Sequence, residues 1–264
     1  MSWVIETHAL SKSYPREQSW RKLFSRELDP PAVDRVDLKI AEGEIFGLVG
    51  PNGAGKTTLV KMLSTLVLPT AGQAWVCGHP LADEQVVKSC IGLVTSDERS
   101  FYWRLSGRQN LEFFAVLQGL DFQQARQRAQ EVLELVALQS QAERSFQTYS
   151  TGMRQRLAIG RALLVQPHVL FLDEPTRGLD PQAQADLLQL IRVQLSHQQR
   201  ITVLITSHNL GEIERLCDRI AIIQAGRIRA CGSLAELRAS FDPPAATQLE
   251  LGSPPPPALL DSLR

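Results

Sequence analysis

The glycine-rich turn Gly50-Pro51-Asn52-Gly53-Ala54-Gly55-Lys56-Thr57-Thr58 constrains this chain more than any other stretch. It fits the spacing G-x-x-x-x-G-K-[ST] and sits between an apolar run and a helical pattern. Before it, Glu44-Ile45-Phe46-Gly47-Leu48-Val49 reads as a buried strand. After it, Leu59, Met62, Leu63 and Leu66 recur at helical spacing. Glycines let the backbone curl so that successive N–H groups face one phosphate chain, at the positive end of the following helix. Lys56 then reaches the β- and γ-phosphates, and the Thr57 hydroxyl faces the Mg²⁺ that accompanies them. A strand, turn and helix in this order predict an α/β domain that binds a nucleoside triphosphate.

Further along, Val169-Leu170-Phe171-Leu172-Asp173-Glu174 reads as a buried parallel strand that delivers two acids to the carboxyl edge of the sheet, where ligands bind in such folds. Asp173 is the candidate to hold Mg²⁺ through water, opposite Thr57, and Glu174 to polarise an attacking water as general base. A third apolar strand, Ile201-Thr202-Val203-Leu204-Ile205-Thr206, ends at Ser207-His208. His208 is a candidate to contact the γ-phosphate and to hold Glu174 in place. Tyr149-Ser150-Thr151-Gly152-Met153-Arg154-Gln155-Arg156 opens a helical pattern, and a serine and glycine at a helix start suit an anion.

Composition narrows the partners. Lysine plus arginine and aspartate plus glutamate number 28 each, which argues against bare nucleic acid as the main partner. The cysteines Cys77, Cys90, Cys217 and Cys231 are scattered with no C-x-x-C pair, so neither a zinc site nor a disulfide framework is expected. The start, Met1-Ser2-Trp3-Val4-Ile5-Glu6-Thr7-His8, lacks the layout of a signal peptide, and no apolar run nears the ~20 residues needed to span a bilayer.

With these pieces in order, the chain resembles the nucleotide-binding subunit of ABC transporters from about Trp3 to Gly232. In that family the phosphate loop and the acidic strand are called Walker A and Walker B. The signature Leu-Ser-Gly-Gly-Gln is here Tyr149-Ser150-Thr151-Gly152-Met153, with Ser150 and Gly152 kept. Gly178-Leu179-Asp180 resembles the D-loop, His208 the switch histidine, and Tyr14 the aromatic that stacks on adenine. The resemblance implies an ATPase using ATP and Mg²⁺. It implies a head-to-tail homodimer, or a pair with another ATP-binding subunit, around two ATP molecules. It also implies an integral membrane permease as partner, no span of its own, and a place on the cytoplasmic face of the membrane. The signature and the Thr65-Leu66-Val67-Leu68-Pro69-Thr70-Ala71-Gly72 stretch look most like the drug- and polysaccharide-type exporters of the ABC-2 group. The alternative is a soluble ABC-type ATPase acting on ribosomes or DNA. A P-loop GTPase would carry an Asn-Lys-x-Asp motif, which is missing.

Three departures stand out. The family's glutamine between phosphate loop and signature is absent, and counting from both flanks puts Asp97 in its place, a carboxylate able to bind Mg²⁺. Phe101-Tyr102-Trp103 follows, divided between a core reading and a docking cleft for the partner. An extra stretch, residues 16–31, reads as a solvated loop closed by Pro30-Pro31, the alternative being a short basic amphipathic turn against the membrane face. The expected fold is a P-loop NTPase (RecA-like) α/β core with an amino-terminal antiparallel β segment (about residues 3–45) and an inserted α-helical subdomain (about 96–162). The ATP-binding domain is expected over residues 1–235 and a proline-rich mobile tail over 236–264.

Overall fold

The computed structural model describes residues 3–14, 30–95 and 100–241. Strands β1 (Trp3–Lys12) and β2 (Val33–Ala41) pair antiparallel, with Val33, Val36, Leu38 and Ile40 turned inward along β2. Next come β3 (Ile45–Val49) and α1 (Lys56–Leu63), joined by the glycine turn. Strand β4 (Ala71–Val76) then returns to pair with β1, and β5 (His79–Pro80) pairs with β4 at the outer edge, so the smaller sheet runs β2-β1-β4-β5. These two strands extend the sheet beyond the expected 3–45 range. Strand β4 closes on β1 at Gly72, where a Cβ would lie 2.3 Å from the Ala9 carbonyl oxygen.

The remaining strands and α-helices are α2 (Glu84–Cys90), β6 (Ile91–Val94), α3 (Gly107–Leu117), α4 (Phe122–Leu135), α5 (Thr151–Leu163) and β7 (Val169–Asp173). They are followed by α6 (Pro181–Gln189), β8 (Thr202–Ser207), α7 (Leu210–Leu216), β9 (Arg219–Gln224), β10 (Arg227–Gly232) and α8 (Leu234–Phe241). Helices α3 and α4 each begin with a reciprocal cap, Ser106 with Gln109 and Asp121 with Gln124. Helix α8 lies where the sequence from Ser233 to Ser240 reads as helix-like; it runs six residues past the expected domain end at 235, with Leu237 buried.

The larger sheet runs β10-β9-β3-β8-β7-β6. Strands β3, β7 and β8 are buried from end to end, as the centre of a parallel sheet covered on both faces demands. Their side chains alternate between two cores. Ile45, Val49, Leu170, Leu172, Val203 and Ile205 face the core built with α3–α7. Phe46, Leu48, Val169, Phe171 and Leu204 face the core built with the smaller sheet and α1. Because β8 lies between β3 and β7, Ser207 pairs with Val49 and Thr206 with Asp173. The carboxyl ends of three strands therefore meet at one edge.

One helical expectation is corrected. Leu66 does not continue the apolar face of α1, which ends at Leu63. Thr65 turns left-handed at φ 59°, and the Leu66 and Val67 N–H groups fold back on the Lys61 carbonyl. Leu66 is consequently exposed.

Candidate functional site

The site begins with two glycines that no other residue could replace without a shift. At Gly50 a Cβ would lie 2.2 Å from the Ile223 carbonyl oxygen of β9. Gly55 adopts φ 107°, and a Cβ there would lie 2.2 Å from the Ala32 carbonyl oxygen. The turn is braced from the far end of the chain, since the Gly226 N–H donates to the Ala54 carbonyl at 3.0 Å. Lys56 is 5% exposed and curls over the turn, where its Nζ donates to Gly50 O at 2.7 Å and to Pro51 O at 3.2 Å. Held by these carbonyl oxygens, the Lys56 Nζ is fixed beside the place where an anion in the turn would sit.

Opposite the turn stand the two acids. Asp173 is buried, and its Oδ2 accepts from the Thr57 hydroxyl at 2.8 Å while its Oδ1 accepts from the Thr206 hydroxyl at 2.6 Å. Glu174 sits at φ 50°, a left-handed backbone that costs a non-glycine residue about 1–3 kcal/mol and clusters at functional sites. Its N–H is held by Thr206, at 3.0 Å to Oγ1 and 3.2 Å to the carbonyl. Its Oε1 lies 3.6 Å from Lys56 Nζ and 3.4 Å from His208 Nδ1, and its Oε2 lies 3.9 Å from Arg177. Between turn and acids lies a cavity of about 250 Å³ lined by Ala32, Asn52, Gly53, Ala54, Gly55, Lys56, Thr57, Thr58, Asp173, Glu174 and Arg177.

The other expected residues lie around this centre. His208 is mostly exposed at the mouth. Tyr14 is exposed outside the cavity wall, with the Lys12 ammonium 5.3 Å from its ring centroid. Ser150, Gly152 and Asp180 do not line the cavity. Ser150 caps α5 by accepting from Met153 N at 3.2 Å, and Asp180 caps α6 by accepting from Ala183 N at 2.9 Å. The two caps are neighbours, because a Cβ on Gly152 would lie 3.2 Å from the Ala183 Cβ. Asp97, most of the 16–31 stretch and the residues after Phe241 fall outside the described residues.

The aromatic triplet divides. Phe101 is buried, stacked on Phe146 at 4.8 Å, and belongs to the core. Tyr102 and Trp103 are 49% and 55% exposed, and Tyr102 meets the partly exposed Phe113 edge-on at 4.8 Å. Arg154, in the first turn of α5, lies 4.8 Å from the Trp103 ring and 5.5 Å from Phe146, tying the exposed aromatics to the helix that Ser150 caps.

Sequence reasoning misses three members of the centre, namely Ala32, Arg177 and Thr206. None of the three carries a local signal: Thr206 is marked only by the register that pairs it with Asp173.

The profile of a family described as "ABC transporter" matches residues 33–177, which holds the turn and both acids. This chain belongs to that family. It is 44% identical over 212 residues to the daunorubicin resistance ATP-binding protein DrrA3 of Streptomyces coeruleorubidus, covering 80% of this chain and 66% of that protein. It is 38% identical over 229 residues to the bacitracin transport ATP-binding protein BcrA of Bacillus licheniformis, covering 86% of this chain and 69% of the relative. Among solved structures, a bacterial ABC transporter cassette determined as a dimer superposes with a TM-score of 0.73 at 25% identity, covering 87% of this chain and 98% of that one. The ABC cassette fold, with its parallel core, antiparallel β segment and helical insert, is thus the fold of this chain.

Proposed function

We propose that the chain binds ATP with Mg²⁺, hydrolyses it to ADP and phosphate, and drives a separate membrane-spanning exporter subunit. The observation that carries the reading is the meeting of Lys56, Thr57, Asp173 and Glu174 around one cavity at the carboxyl edge of the parallel sheet. The turn's backbone N–H groups and Lys56 take the phosphates. The Thr57 hydroxyl and the Asp173 carboxylate are hard oxygen donors side by side. They fit Mg²⁺, a cation that is bound by one or two protein oxygens and completes its shell with phosphate oxygens and water. Mg²⁺ supplies charge neutralisation on the phosphates when bound. Glu174, offered by its left-handed backbone at the mouth, is placed to draw a proton from water, and His208 is placed to hold it.

The pairing of two cassettes is supported by the position of Ser150, Gly152 and Asp180, which share a surface away from the chain's own cavity. A head-to-tail dimer would bring that surface onto the partner's phosphates, and the two-fold axis would complete both sites at once. Tyr14 is exposed, as an aromatic that stacks on an adenine ring must be. No helix among the described residues is long and apolar enough to cross a membrane. The exposed Tyr102, Trp103 and Phe113 offer an aromatic patch for a membrane subunit. That subunit would hold the cassette on the cytoplasmic face. The relatives named for daunorubicin resistance and bacitracin transport favour export.

The Glu174→Gln variant tests both halves. It is expected to bind ATP and to turn over 10²–10⁴-fold more slowly, the usual worth of a general base. Purified in mild detergent with ATP, it is expected to bring down a multi-span membrane protein. Wild-type turnover removes Glu174 from the chemistry, and recovery of ribosomal or DNA-associated proteins alone replaces the exporter reading with a soluble ATPase.

A further inference from the structure

Glu212 lies in the first turn of α7, outside the cavity wall, and its carboxylate gathers three donors from two loops. The Thr176 hydroxyl donates to Oε2 at 2.7 Å, the Ser207 hydroxyl to the same oxygen at 3.3 Å, and Asn209 Nδ2 to Oε1 at 3.0 Å. Thr176 stands two residues after Glu174, while Ser207 and Asn209 flank His208. Thr176 and Ser207 are both buried, so water does not compete for their hydroxyls, and the other acceptor for the Ser207 hydroxyl is the Asn209 carbonyl at 3.5 Å. The exposed His208 approaches Glu174 no closer than 3.4 Å, too loose a contact to fix the two loops by itself.

We infer that Glu212 is a positioning residue for hydrolysis, clamping the loop after Glu174 to the loop that carries His208. The inference rests on the roles proposed for Glu174 and His208. A carboxylate suits the clamp because all three partners donate. An amide suits it less: with its oxygen on Thr176 and Ser207 its NH₂ faces the NH₂ of Asn209, and turned over it takes the acceptor away from the buried Thr176 hydroxyl. Asn209 cannot flip to relieve this, since its Oδ1 accepts from Gly211 N at 3.0 Å as the cap of α7. Exchanging the two groups restores the bond with its direction reversed. In Glu212→Gln with Asn209→Asp, the new amide donates to the new carboxylate, which still caps Gly211.

The test is steady-state ATPase of the full chain in wild type, Glu212→Ala, Glu212→Gln and the exchange variant (Glu212→Gln with Asn209→Asp), each with its melting temperature. Glu212→Ala is expected to lower kcat by about 10–100-fold, the cost of a misplaced catalytic geometry. KM for ATP should stay within about 2-fold, because the phosphate contacts are untouched. Glu212→Gln is expected to fall between, and the exchange to recover most of the wild-type kcat. Wild-type kcat in Glu212→Ala overturns the inference. So does an exchange variant that stays as slow as Glu212→Gln, or one that melts well below it, because the reversed pair then does not fit the clamp. Should Glu212→Ala fail to fold, the comparison of Glu212→Gln with the exchange decides. Glu174→Gln, run alongside, separates the two readings. Normal turnover there defeats the proposed role of Glu174, whereas slow turnover there with normal Glu212 variants defeats the clamp alone.

Discussion

Thr206→Val isolates the contact on which the acidic edge depends. The change keeps the side chain's shape and removes the hydroxyl that donates to Asp173 Oδ1 at 2.6 Å. That oxygen belongs to a residue only 4% exposed, so water does not replace the lost donor. The Glu174 N–H retains the Thr206 carbonyl at 3.2 Å and is not orphaned. The cost is therefore dominated by the buried hydrogen bond to the Asp173 carboxylate, about 2–3 kcal/mol, while the Glu174 N–H gives up Oγ1 at 3.0 Å and keeps its second acceptor. For a chain of this size that is a fall of roughly 4–12 °C in melting temperature. Thr206→Ser keeps the hydroxyl and loses one methyl, about 1 kcal/mol and roughly 2–4 °C. Thermal unfolding of the three proteins without nucleotide gives the comparison. Stability in the order wild type, Ser, Val fits the reasoning. A Val variant that melts at or above the Ser variant would refute it, because shape would then matter more than the bond to Asp173.

Gly50→Ala places a methyl 2.2 Å from the Ile223 carbonyl and is expected to cost about 1–3 kcal/mol and to abolish tight triphosphate binding. Titration calorimetry with a non-hydrolysable ATP analogue checks it, and wild-type affinity would mean that β9 yields. Lys56→Ala removes the buried ammonium of the turn and is expected to weaken the same analogue by about 10–150-fold, the worth of one charge-assisted bond. Unchanged affinity there would remove Lys56 from the phosphate contacts. Burial pushes the Cys217 thiol well above its ordinary range, with the neighbouring Asp218 adding to the shift. At pH 8.5 little thiolate forms, so iodoacetamide is expected to label Cys217 far more slowly in the native chain than in denaturant. Equal rates in the two states would refute that environment.

The parts legible in the sequence are those written in consecutive residues. The turn from Gly50 to Thr58, the strand ending in Asp173-Glu174 and the strand ending at His208 each carry their chemistry within a few positions. What stays hidden depends on register and on distant backbone. Thr206 matters because β8 happens to pair it with Asp173, and nothing local says which threonine of an apolar strand will face an acid. Ala32 reaches the cavity because Gly55 has no side chain to keep it away. The left-handed Glu174 could not be foreseen, since a glutamate gives no hint of positive φ. Phe101-Tyr102-Trp103 shows the same limit, as three adjacent aromatics go to core and surface by the packing of Phe146 and Phe113. Leu66 keeps helical spacing after the helix has ended.

The order of strands β9-β3-β8 has a consequence for the chain while it is being made. Strand β3 emerges early, yet both of its neighbours are synthesised late, and the Gly43 N–H waits for Thr202, 159 residues on. At 5–20 residues per second, that is roughly 8–30 s during which Ile45, Phe46, Leu48 and Val49 have no sheet to enter. The glycine turn cannot be braced until Gly226 arrives. A ribosome-bound fragment ending before β8 would therefore show an exposed apolar strand to any holdase and would have no working nucleotide site. The strand that leads into the phosphate loop is thus translated long before its sheet partners and is among the last parts to be folded.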